Sequence, residues 1–290
     1  MLADRLIEAV RARATPLCVG LDPLPDRIPA LFGEGVAAIR TFGEAIIDIA
    51  AEHAAVIKPQ LGFFEPFGAE GFAAAQALCA HARTKGLIVL LDAKRGDIGT
   101  TAEGYARAAF GVGGFNADAV TVNPYLGRDS LEPFLKTAEQ QKRGVVVLVR
   151  TSNPGARDLQ DLDVGGAPLW RRVGEMIAPE APRLQGESGW SGLMAVAGAT
   201  YPDEARALRQ TLPNSLFLVP GYGAQGASAV DAVAGFVKGP RGLEGGVVSS
   251  SRAVLYPAAA QDAATLPAWR AAIAEAMRAA AAELRQACTG

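Results

Sequence analysis

The segment LLDAKRGDIGTTAEGY, residues 90–105, places Asp92, Lys94, Arg95 and Asp97 close together, directly after the apolar run GLIVLL. A run of that kind reads as the inside of a buried strand, where charge is costly unless it is paired. Side chains alternate along extended backbone, so Asp92 and Lys94 are expected on one face. Gly96 permits a tight turn, and Asp97 follows it with no fixed direction. Two carboxylates with a lysine between them hold an ammonium at a defined point and keep negative charge beside it. A substrate carboxylate brought into such an array would be repelled, and losing it as neutral carbon dioxide would relieve the repulsion. The ammonium could then protonate the carbanion left behind. A solvated loop is the plainer reading of DAKRGD, and its place after LIVLL weighs against it.

These charges need a scaffold, and the chain repeats one pattern eight times. Short apolar runs occur at 15–20, 54–59, 87–92, 118–123, 145–150, 193–198, 215–220 and 245–250. Most are continuous rather than alternating, as in parallel strands covered on both faces. Between them lie Ala-rich and charged segments such as GVAAIRTFGEAIIDIAAEHA, GAEGFAAAQALCAHARTK and LEPFLKTAEQQK, which suit amphipathic helices. LPAWRAAIAEAMRAAAAELRQA, near the end, is a further helix. Eight strand–helix returns predict a single α/β domain over residues 1–290, a closed (β/α)8 TIM barrel. An open doubly wound sheet is the competing arrangement. The N-terminal helix is expected to cover the barrel bottom. Residues 151–190 form the longest connection, a loop around a short helix at 168–178.

Chemistry in such a barrel sits beyond the carboxyl ends of the strands. That rule gathers Asp22 after the first run, Lys58 and Gln60 after the second, and Asp92, Lys94 and Asp97 after the third. Thr151, Ser152 and Asn153 follow the fifth, PGYGAQGA the seventh and Arg252 the eighth. Asp22 before Pro23 also suits a turn, and Lys58 a structural ion pair. The glycines of PGYGAQGA expose backbone N–H groups, Gln225 adds an amide donor, and Arg252 can grip a phosphate by paired hydrogen bonds. The seventh and eighth loops are a recurrent phosphate site in these barrels.

Composition narrows the rest. A formal charge of −2 over 290 residues gives no support for broad attraction to nucleic acid or a membrane surface. Cys18, Cys79 and Cys288 have neither metal-ligand nor redox spacing, which fits a disulfide-free chain in a reducing cytosol. The N-terminus is broken by charges and does not read as a signal peptide, and no apolar stretch reaches the roughly 18 residues of a spanning helix. His53 and His81 lie in helix-like stretches away from any ligand cluster. GxxxxGK[ST] is absent, no GxGxxG follows the first strand, and GESGWSG lacks the context of a nucleophilic serine.

DAKRGDIGTTAEGYA, with GLDPLP, IKPQLGFFEPFG, TVNPYLGRDSLEPF, VRTSNPG, AVAGATYP, LVPGYGAQGA and SSSRAVLY in that order, resembles the orotidine 5′-phosphate decarboxylase family in its longer bacterial form. The match spans nearly the whole chain. GAQGAS departs from the doubled glycine more familiar in that loop. The resemblance implies a TIM barrel, usually dimeric, that converts orotidine 5′-phosphate to uridine 5′-phosphate and carbon dioxide in de novo pyrimidine biosynthesis. It implies no metal, flavin, pyridoxal or thiamine cofactor. Lys58, Asp92, Lys94 and Asp97 would be the alternating charged array, with Lys94 protonating C6. Asp97 and Thr101 would reach across the interface into the partner's site. Asp22 would bind ribose and Ser152 the pyrimidine. Gln225, Arg252 and backbone near Gly223 and Ser251 would hold phosphate. Two rivals remain: a phosphosugar lyase or aldolase using Lys94 as a Schiff base, and a phosphometabolite-binding protein without catalysis.

Overall fold

The computed structural model describes residues 1–223 and 225–290. Eight parallel strands close into a barrel. They are β1 (Leu17–Leu21), β2 (Val56–Pro59), β3 (Ile88–Arg95), β4 (Ala119–Val122), β5 (Gly144–Arg150), β6 (Ser191–Ala197), β7 (Ser215–Val219) and β10 (Gly246–Ser250). The strand order around the barrel is β1-β10-β7-β6-β5-β4-β3-β2. β8 (Val237–Gly239) and β9 (Gly242–Glu244) form an antiparallel hairpin between β7 and β10. This is the (β/α)8 TIM barrel expected from the eightfold pattern. The hairpin was not anticipated, because strands of three residues leave too short a periodicity to read.

The pleat sorts the strand residues into two separate apolar clusters. Leu17, Val19, Ile57, Val89, Leu91, Val120, Val145, Val147, Leu193, Ala195, Phe217 and Val248 pack outward against the helical layer. Cys18, Val56, Ile88, Leu90, Ala119, Val146, Met194, Val196, Leu216, Leu218 and Val247 form the inner cluster. Leu2, Ala3, Leu6, Ile7 and Val10 of the helix Leu2–Arg13 belong to that inner cluster, so this helix plugs the barrel at the strands' amino ends.

Continuing the same alternation past the inner residues gives the positions that face the open mouth. Val56 leads to Lys58, Leu90 to Asp92, Ala119 to Thr121, and Val247 to Ser249. A one-residue slip of any strand would turn its polar residue into the helical layer. On the other side of the barrel Leu148, Val196 and Leu218 keep the floor apolar. The long connection contains a helix at Leu169–Ile177, continued by a 3-10 segment at Ala178–Leu184. The terminal helix Leu266–Thr289 packs its Trp269 against Phe32 and Phe42.

Candidate active site

A cleft of about 470 Å³ opens at the carboxyl ends of the strands. Asp22, Lys58, Asp92, Lys94, Ser152, Gln225, Ser251 and Arg252 all line it. Eight residues predicted from distant parts of the sequence, Ser251 by its backbone, thus line one cavity. Asp97, Thr101 and Gly223 are not among the lining residues. Asp97 is half-buried, with its Oδ1 accepting from the Ile98 N–H at 2.8 Å, and Thr101 is exposed on the helix Gly99–Phe110.

Asp92 is the hub. Its Oδ2 accepts from Lys58 Nζ at 2.8 Å and from Gln60 Nε2 at 2.9 Å. Its Oδ1 accepts from Lys94 Nζ at 2.6 Å and from Thr121 Oγ1 at 3.0 Å. Lys58 and Asp92 are each only 6% exposed. Burial alone would push the Asp92 carboxyl up, but the charges of Lys58 and Lys94 outweigh it and hold Asp92 well below the ordinary aspartate range. Burial would likewise lower Lys58, and the Asp92 and Asp22 carboxylates reverse that, raising it above an ordinary lysine. Asp92 is therefore held in its ionised form, as a weak base. Its work is to fix two ammonium groups.

The route by which Lys94 meets Asp92 differs from the expected alternation. Lys94 has φ +47°, a left-handed conformation uncommon outside glycine. β3 is not regularly extended there, because its register against β4 shifts between Leu91 and Arg95. The two side chains meet through this irregularity rather than through the pleat.

Asp22 sits at the end of β1 with its Oδ1 buried and without a hydrogen-bond partner among the described residues. Tyr256 holds the backbone there. Its hydroxyl donates to the Asp22 carbonyl at 3.0 Å and accepts from the Leu24 N–H at 2.7 Å. An unpaired buried carboxylate oxygen is costly, and a ligand hydroxyl would relieve that cost.

The far end of the cleft carries the glycine turn, Gln225 and Arg252. Gly221 and Gly223 have φ of +100° and +72°, which only glycine adopts freely. A Cβ on Gly221 would also lie 3.0 Å from the Ser152 Cβ, and one on Gly198 would lie 2.9 Å from the Ser152 Cα. Ser152 is thus wedged between two glycines, and its carbonyl accepts from the Thr200 hydroxyl at 3.1 Å. Ser251 follows β10, Arg252 opens the short helix Arg252–Leu255, and both line the cleft with Gln225. The helix following the glycine turn is a single turn, Ala229–Ala232, capped by Ser228 and Asp231.

Sequence reasoning gave no role to Thr121, Ser249 or Tyr256, and placed Gln60 at the mouth without a partner. The inward parity of β4 was the signal for Thr121, which follows Ala119 on the face opposite Val120 and Val122. Among the described residues no group of three or more His, Cys, Asp or Glu side chains could hold a metal ion. No helix among them is long and apolar enough to cross a membrane.

Residues 15–264 match the family described as Orotidine 5'-phosphate decarboxylase / HUMPS. The chain is 45% identical over 265 residues to the orotidine 5'-phosphate decarboxylase of Haloarcula marismortui, covering 90% of this chain and 88% of that one. It is 43% identical over 261 residues to the one from Deinococcus radiodurans, covering 88% and 89%. The structure of Leishmania donovani OMP decarboxylase superposes with a TM-score of 0.75 at 34% identity, over 95% of this chain and 97% of that one. The match of 15–264, together with these relatives, is enough to assign the chain: it belongs to the orotidine 5′-phosphate decarboxylase / HUMPS family.

Proposed function

We propose that this chain is an orotidine 5′-phosphate decarboxylase of the longer bacterial form, a carboxy-lyase that yields uridine 5′-phosphate and carbon dioxide. One observation carries the reading. A buried carboxylate clasped between two lysines faces, across a single cleft, the glycine turn with Gln225 and Arg252. That is an anchor for a phosphate set opposite a charged reaction centre. Relatives more than 40% identical over most of the chain bear the decarboxylase name.

The bond from C6 to the carboxylate breaks with its electron pair left on C6, and carbon dioxide departs. Lys94 then gives C6 a proton and recovers one from solvent. Phosphate held by Gln225, Arg252 and backbone near Gly223 and Ser251 supplies binding energy remote from the reacting bond, which aligns the base. Asp22 and Lys58 take the ribose hydroxyls, and Ser152 takes the pyrimidine edge. Asp92 fixes Lys94 so that its charge faces the developing carbanion without reorganising. Asp97 and Thr101 lie outside the cleft of their own chain, which suits a homodimer in which they complete the partner's site. No cofactor enters these steps.

The test is a spectroscopic assay with orotidine 5′-phosphate in metal-free buffer. Loss of substrate with formation of uridine 5′-phosphate is expected. Absence of turnover, or borohydride trapping of Lys94 on a carbonyl substrate, would favour the phosphosugar lyase instead.

A further inference from the structure

We propose that Thr121 is a positioning residue that stabilises the left-handed backbone of Lys94 and thereby sets the direction of its ammonium; this deepens, and rests on, the reading of Lys94 as proton donor. Leu90 pairs with Ala119 and Leu91 with Val120, but the next β3 residue in register is Arg95, opposite Val122. Residues 92–94 thus bulge from the ladder opposite Thr121 alone. A bulge leaves backbone N–H groups without ladder partners, and buried ones must find others.

The Thr121 hydroxyl receives two of them, from Ala93 and Lys94, both at 2.9 Å. It also donates to Asp92 Oδ1 at 3.0 Å. A hydroxyl has one donor and two acceptor sites, and all three are filled here. Thr121 is 1% exposed, so water does not compete at this point. One side chain thus ties the backbone N–H of Lys94 to the carboxylate that holds its Nζ. Both ends of the Lys94 residue are fixed through Thr121 and Asp92. A threonine that only filled the barrel interior would need its methyl and one hydrogen bond; the pairing with two successive N–H groups is what points to the bulge.

Two measurements together test this. In a crystal structure of Thr121→Val, φ of Lys94 should turn negative and its Nζ should leave Asp92. In the decarboxylation assay the same variant should lose about 100-fold in kcat, as expected of a misplaced catalytic group, with KM close to wild type. Thr121→Ser keeps the three hydrogen bonds and should restore both. If Lys94 keeps its positive φ in Thr121→Val, or kcat does not fall, or Thr121→Ser is as impaired as Thr121→Val, the proposal is wrong. Should Thr121→Val not fold, Thr121→Cys, whose thiol is a weak donor and acceptor, reads the same two quantities. The crystal structure needs no substrate. Failure of the wild-type chain to turn over orotidine 5′-phosphate would strike the proposed reaction, while an unmoved Lys94 backbone would strike the role of Thr121.

Discussion

The two ends of the barrel both bury charge, and they treat it differently. At the amino ends of the strands Arg209 donates to the carbonyls of Leu212, Pro213, Ser215, Gly235 and Gly245, and lies against the Trp190 and Phe217 rings. Glu244 accepts from Arg11 at 2.9 and 2.7 Å and from Trp190 at 3.1 Å. Asp118 is closed by Arg5, Arg143 and the Val89 N–H. Each group there faces a partner from the protein. At the carboxyl ends Asp92 is as well satisfied, yet its neighbours are not. Asp22 keeps an unpartnered oxygen, and the Lys94 ammonium, with three donors, spends one on Asp92 among the described residues. Lys94 also has a left-handed backbone conformation, which Arg209, Glu244 and Asp118 do not. Charge that closes on itself holds a fold together; in the proposed function, the spare capacity at Asp22 and at the exposed Lys94 ammonium is what substrate takes up.

Substitutions at the two ends should therefore separate activity from stability. Lys94→Ala should lower kcat about a thousandfold, the scale of a lost general acid. It should still bind uridine 5′-phosphate, measurable by calorimetry. Mixed dimers of Lys94→Ala with Asp97→Ala should regain turnover, because one of their two sites would carry both native residues. Verified hybrids with no activity would contradict the shared site. At the opposite end, Arg209→Met should cost about 3 kcal/mol in urea unfolding, since five carbonyls lose their donor, while kcat of the folded fraction stays at the wild-type value.

Asp22→Asn should weaken uridine 5′-phosphate binding about tenfold, or about 1.4 kcal/mol. Its unfolding free energy should stay within about 1 kcal/mol of wild type, because Oδ1 has no protein hydrogen bond to lose. The smallest effect belongs to Glu244. Burial would raise its carboxyl, but the hydrogen bonds from Arg11 and Trp190 outweigh burial and hold it below the ordinary value of 4.5. A lowered carboxyl stabilises the fold above that pH, and the contribution fades as pH falls through the depressed pKa. Glu244→Gln should cost about 1 kcal/mol at pH 7, and its melting curve should depend less on pH below 4.5 than that of wild type. Equal slopes would show that the Arg11 contact contributes nothing.

Much of this was legible in the sequence. The eight apolar runs coincide with the barrel strands to within two residues, except that β3 continues three residues past its run to Arg95, because buried parallel strands are read directly from continuous apolar character. Knowing the strand ends was enough to gather seven of the cleft residues, and the family resemblance added Ser251. Three kinds of feature were hidden. The bulge at 92–94 changes no side-chain type, so a period-2 reading kept Lys94 extended. Arg209 was given no role from sequence, because its burial depends on the approach of residues 235 and 245. Tyr256 acts on Asp22 through its backbone carbonyl, a contact across 234 positions that no local pattern encodes.

The most direct test is a crystal structure with uridine 5′-phosphate bound. The account predicts phosphate between Gln225 and Arg252, and Lys94 Nζ within about 3.5 Å of the pyrimidine C6, the reach needed for proton transfer. A nucleotide bound with its phosphate at that loop and Lys94 directed away from C6, in a closed site, would contradict it.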